Sequence, residues 1–186
     1  MITKVYITHS EEDEPLAQEL AEALWRVGLE SFVAIYQRAR GVAPGERMRF
    51  AIRHSDCVIA LLTLDGVVSP RVNQEIGFSC GIDQLVIPLL EVEAEMPVLI
   101  RHLKPITFCR ETYSDALGEV ILNIRDLTTL EWLKIKCPFC GEEMTQYLPP
   151  SEVVERAVLS DAGLDTICSY CETALTLDPR TFKPMP

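Results

Sequence analysis

Apolar residues in the first two thirds of the chain follow two alternating periods. Runs of consecutive apolar positions, Val5-Tyr6-Ile7 and Val58-Ile59-Ala60-Leu61-Leu62, are separated by segments such as Leu16, Leu20, Ala23, Leu24 and Val27, where they recur every three to four residues. The first pattern suits strands covered on both faces, the second helices with one face turned inward. It predicts a strand over residues 4–8, then a helix with Pro15 in its first turn that ends at Gly28. A strand over 30–36 and a loop over 37–45 follow, then a helix with Met48, Ala51 and Ile52 on one side. After the strand at 58–62, Ser69-Pro70 supplies a cap and a first-turn proline for a helix that carries Glu75 in its second turn and ends around Gly81. Strands over 85–90 and 105–109 and a helix over 113–126 complete five alternations. Pro88 has no N–H to give, so it is expected at a strand end or at a gap in the ladder. Alternation of this kind builds a parallel sheet with helices on both faces.

Near residue 131 the alternation stops, which divides the chain into units 1–130 and 131–186. The second unit holds Cys137-Pro138-Phe139-Cys140 and Cys168-Ser169-Tyr170-Cys171, with a predicted helix over 151–159 between them. Two C-x2-C turns facing each other match a four-thiolate zinc site, a closed and therefore structural one. Redox-active dithiols or disulfides are the other reading of the same spacing. A unit this small gains most of its security from the metal, whereas the first unit is expected to have a core of its own.

Hydrophobic residues make up 48% of the chain and charged residues 24%, an ordinary globular balance. No apolar run approaches the roughly 20 residues of a membrane span, and the start of the chain lacks the layout of a signal peptide. A cytoplasmic protein with reduced thiols is expected. Net charge is −11 and acid exceeds base in both units, which disfavours binding to a nucleic-acid backbone.

The candidate chemistry lies in Val5-Tyr6-Ile7-Thr8-His9-Ser10, in Asp13 just beyond it, and in Ser69-Pro70-Arg71-Val72-Asn73-Gln74-Glu75-Ile76. On these segments, residues 3 to about 125 resemble a Toll/interleukin-receptor (TIR) domain. The resemblance implies a flavodoxin-like α/β fold with strand order 2-1-3-4-5, and a site outside the carboxyl ends of strands one and three. It makes Glu75 the catalytic glutamate of an NAD+ hydrolase and sets His9 and Ser10 on the nucleotide side. It also implies that the loop over 37–45 covers the site and mediates self-association; Arg38 and Arg40 in that loop are either a solvated face or, in so acidic a protein, the best candidates for pairing with phosphate. The C-terminal zinc ribbon would then serve assembly, sensing or a protein partner. The bond to nicotinamide suits a lone carboxylate, because its leaving group is already cationic and the negative charge stabilises an oxocarbenium-like state.

Two positions depart from the family pattern. Arg71 stands where many members have an aromatic residue, and either contacts a phosphate or is solvated; Phe32-Val33-Ala34 offers no aspartate after the second strand's aromatic. Glu75 could also be a helix-surface carboxylate near a helix N-terminus, and His9 and Ser10 could simply cap the turn into the first helix. Two further function classes stay open: a non-catalytic TIR adaptor acting by homotypic association, and a nucleoside deoxyribosyltransferase-like enzyme. His54 and His102 lack ligand spacing, and Cys57 and Cys80 read as core residues.

Overall fold

The computed structural model describes residues 2–34, 43–128 and 132–185. Five parallel strands, β1 (Lys4–Thr8), β2 (Glu30–Val33), β3 (Cys57–Leu62), β4 (Leu85–Glu91) and β5 (Ile106–Phe108), form a sheet in the order β2-β1-β3-β4-β5. The expected flavodoxin-like α/β fold is therefore observed. Tyr6 of β1 sits between Phe32 of β2 and Val58 of β3, so the start of the chain is an interior strand of the sheet and β3 is its centre. The β5 ladder begins at Leu89, one residue past Pro88, so the missing N–H leaves no bond to β5 unmade.

Five helices connect and cover these strands: α1 (Glu14–Arg26), α2 (Pro44–Arg53), α3 (Leu64–Val68), α4 (Pro70–Gly81) and α5 (Tyr113–Leu127). Pro15, Pro44 and Pro70 each occupy a first turn, where the absent N–H has no intrahelical partner to lose. Ile52, Val72 and Ile76 pack with Tyr6, Val58, Ala60 and Leu62 on one face of the sheet. On the other face Leu20, Leu24, Val120 and Ile124 pack with Val5, Ile7, Ile59 and Leu61.

The C-terminal unit holds two antiparallel hairpins, β6 (Trp132–Lys136) with β7 (Glu143–Tyr147) and β8 (Leu164–Ile167) with β9 (Ala174–Leu177), separated by α6 (Ser151–Leu159). Each hairpin is tied to one C-x2-C turn, which follows β6 in the first and precedes β9 in the second. Its core is not separate. Leu133, Ile135, Val154, Leu175 and Phe182 belong to the same buried cluster as Leu20, Leu24 and Val120, so the unit extends the core on the α1 and α5 side. This corrects the expectation that the first unit has a wholly independent core. Polar contacts join the units as well: Arg26 Nη1 donates to Thr181 O at 3.4 Å, Arg125 Nη1 to Pro149 O at 2.7 Å, and Arg180 pairs with Asp115. Among the described residues, no helix is long and apolar enough to cross a membrane.

Candidate functional site

Glu75 lies on the inward stripe of α4 with Val72, Ile76 and Ser79, and is only 1% exposed. A surface position is thereby excluded. Helical spacing brings Arg71 over it, and Arg71 Nε donates to Glu75 Oε1 at 2.8 Å. Tyr6, buried on β1, faces the same pair: burial first and the Glu75 charge second push its hydroxyl far above the ordinary phenol range, while Arg71 pulls it down. The hydroxyl therefore stays neutral. Glu75 Oε2 is buried and accepts no hydrogen bond.

At the carboxyl end of β1, His9 is fully buried, with Nε2 3.1 Å from Ala34 O and Nδ1 2.5 Å from Ser10 O. Ser10 Oγ donates to Asp13 Oδ2, which also receives Thr63 Oγ1 at 2.5 Å from the end of β3. Asp13 thus bridges β1 and β3, where the strand order reverses direction and ligands bind in folds of this kind. Thr63 in turn accepts Gly66 N at 2.9 Å and caps α3. Arg110, beyond β5, donates through Nε to Glu91 Oε1 at 2.9 Å and stands 3.8 Å from Asp13 Oδ1.

Buried polar atoms are almost always hydrogen-bonded. Among the described residues, the unmet ones are Thr8 Oγ1, Asp13 Oδ1, Glu75 Oε2 and Thr166 Oγ1, so three of these four fall on β1, on the residue before α1 and on α4.

The second cluster is Cys137, Cys140, Cys168 and Cys171, whose sulfurs all lie within 4.8 Å of one another. The Cys137–Cys171 and Cys140–Cys168 sulfurs are each 3.8 Å apart, and all four cysteines are free of disulfides. Backbone N–H groups of Cys140 and Phe139 lower Cys137, and the Thr173 hydroxyl and N–H lower Cys171 to about 6. Cys140 is pulled down by the Glu142 N–H, but burial and its sulfur neighbours outweigh this and push it up to about 12. Four sulfurs held this close ionise together only around a cation. The quartet is positioned to bind a metal ion.

The sequence profile of the TIR domain matches residues 5–121, more than half of the chain. The chain belongs to the TIR-domain family. The TIR domain of a Toll-related receptor, TRR-2, from Hydra magnipapillata superposes with a TM-score of 0.56 at 22% identity, over 67% of this chain and 99% of that one. The CMP N-glycosidase BcmB of Clostridium botulinum gives 0.50 at 22% identity, over 64% of this chain and 98% of that one. These likenesses concern the fold. A comparison with curated proteins gave no match.

Within the TIR domain, the structure brings Glu75 and Arg71 together and sets His9 and Ser10 in the hydrogen-bonded end of β1. Arg71 is paired rather than simply solvated. Arg38 and Arg40 lie outside the described residues. Tyr6 was hidden to sequence reasoning because it reads as one more apolar residue of a core strand. Thr63 was legible as the carboxyl end of strand three, but its bond to Asp13 was not.

Proposed function

We propose that this TIR-domain protein is an NAD+ hydrolase in which Glu75 is the catalytic carboxylate. The observation that carries this reading is the buried Glu75 carboxylate with one oxygen unmet, under Arg71 and beside Tyr6. In the reaction the C1′–N1 bond breaks, and its electron pair passes to the pyridinium nitrogen and neutralises it. Positive charge moves onto the ribose, where Glu75 stabilises it. Water then adds at C1′ and loses its proton to Glu75 or to solvent, giving nicotinamide and ADP-ribose.

His9 and Ser10 shape the nucleotide side, and Arg38, Arg40 and Arg71 are the candidate phosphate contacts. Zinc is the metal that the quartet fits best. Four bonds of about 2.3 Å in a tetrahedron set sulfurs about 3.8 Å apart, and an all-thiolate set leaves no open position, so zinc is structural here. Self-association through the TIR domain, a protein partner on the ribbon, a cytoplasmic location and a role in stress or defence signalling complete the proposal. The division into units 1–130 and 131–186 is part of it too.

One observation favours a second reading. Arg71 already neutralises Glu75, which suits an adaptor that needs no reactive carboxylate. The name of the C. botulinum fold neighbour also keeps other nucleotide N-glycosidic bonds in view. Incubation with NAD+ at low and high protein concentration, with nicotinamide and ADP-ribose products quantified, tests the proposal. Nicotinamide release supports it, and none in any assembly state supports the adaptor.

A further inference from the structure

Any chemistry at Glu75 must first undo its pair with Arg71. The carboxylate is 1% exposed while the Arg71 side chain is 32% exposed, and the two are joined at 2.8 Å, so the guanidinium covers the outer side of the acid. With that pair closed, Glu75 has little charge to offer a developing cation, and the guanidinium repels one. Drawing Arg71 away with nothing in exchange leaves the buried Glu75 charge without this partner, which is strongly unfavourable. A phosphate removes the difficulty. Its oxygens can accept two parallel guanidinium N–H bonds, a geometry that arginine fits and lysine does not. Tyr6, neutral and adjacent, remains beside Glu75 when the arginine leaves.

We propose that Arg71 is a phosphate-operated latch. At rest it neutralises Glu75; a substrate's 5′-phosphate draws the guanidinium off and frees the carboxylate for the ribose. The site then accepts 5′-phosphorylated nucleotides and rejects the corresponding nucleosides. The inference rests on the N-glycosidase reading for its rate measurements, and on geometry alone for its binding measurements.

NAD+, nicotinamide mononucleotide and nicotinamide riboside contain the same scissile bond, and only the riboside lacks a phosphate. Wild-type protein is expected to cleave the riboside with kcat/KM at least about 100-fold below the mononucleotide, since a site built for a polar group discriminates strongly against its absence. In Arg71→Gln the two substrates should move in opposite directions, the mononucleotide falling about tenfold or more and the riboside rising, because the latch is gone while the phosphate contact is lost. Arg71→Lys, which keeps the charge, should fall between them and guards against a folding defect. Riboside cleavage within about threefold of the mononucleotide in wild type overturns the latch. So does a riboside rate unchanged in Arg71→Gln while the mononucleotide falls, which is simple phosphate binding.

If no compound is cleaved, the hydrolase reading fails, and calorimetric binding of mononucleotide and riboside decides the latch. Tighter mononucleotide binding that Arg71→Gln abolishes, with the cationic riboside binding more tightly to the variant than to wild type, supports it, and riboside binding unchanged in the variant overturns it. Equal binding, or no binding of the mononucleotide, overturns it.

Discussion

Trp132 lies so close to Gly28 that a Cβ on the glycine would come within 2.3 Å of the indole Cη2. Gly28 also has φ +78°, a region that L side chains adopt only under strain. The turn that ends α1 is therefore shaped to receive the first strand of the C-terminal unit, while Lys134 lies over the neighbouring Trp25 ring at 5.2 Å. The unit closes the α1 and α5 face and leaves the opposite face, with α4 and Glu75, uncovered by it.

Gly28→Ala should destabilise the protein by roughly 1–3 kcal/mol, through the left-handed backbone and the overpacked indole together. For a chain of this size that is a fall of about 2–10 °C in melting temperature. An unchanged melting temperature would show that Trp132 moves aside freely and that the units are loosely joined.

Metal removal should reach beyond the cysteine turns. Because Leu133, Ile135 and Phe182 share a buried cluster with α1 and α5, loss of the ion frees apolar surface on the TIR domain as well. Cys168→Ser, or chelation of the wild-type protein, is expected to abolish bound zinc and to lower the melting temperature of the whole chain in one transition. Metal analysis should find one zinc per chain in wild type. A disulfide within either cysteine pair, or a C-terminal unit that stays protected from hydrogen exchange without metal, would contradict this.

The strands and long helices were legible because two hydrophobic periods alternate over lengths that can display them. α3 has only the five residues Leu64–Val68, too few for a helical period to appear, and its one signal is Thr63 accepting from Gly66 N. The cysteine quartet was legible because each half is a local spacing. The joined core was not, since contacts such as Arg26 with Thr181 connect positions 155 residues apart and leave no periodic trace. Glu75 could be placed on a helix, but its burial depends on which way α4 turns against β1, and Tyr6 carries that information only after folding.

Acid should weaken the protein in a narrow window through Asp56. Its Oδ2 accepts from Thr3 N at 2.7 Å, Lys4 N at 2.9 Å and Thr3 Oγ1 at 3.0 Å. The Thr3 N–H is the main cause holding its carboxyl below the usual range, with burial opposing and the Lys4 N–H and Thr3 hydroxyl adding. The folded value is thus lower than the unfolded one. Its stabilisation is complete above the unfolded value, near pH 3.9, and fades as pH falls through the folded value. Asp56→Asn should remove this contribution, about 1 kcal/mol for an exposed group, and flatten the loss of stability below about pH 4. Denaturant midpoints of the two proteins at stepped pH measure it; parallel curves would assign the acid sensitivity elsewhere.

Glu75→Gln isolates the charge on which the proposed chemistry depends. Glutamine keeps the shape and can still accept Arg71 Nε through its amide oxygen, so the α4 stripe of Val72, Ile76 and Ser79 should pack as before. What changes is electrostatic: a neutral amide cannot stabilise positive charge on the ribose, and nicotinamide release should fall by about a hundred- to a thousand-fold, the value of one preorganised contact. Arg71 then lacks its counter-charge, so a moderate loss of stability, roughly 1–3 kcal/mol, should accompany the change. Rates are therefore compared at a temperature where circular dichroism shows both proteins folded. Nicotinamide release within about threefold of wild type in the folded variant would remove Glu75 from the reaction, because an uncharged side chain in the same place cannot supply the missing stabilisation.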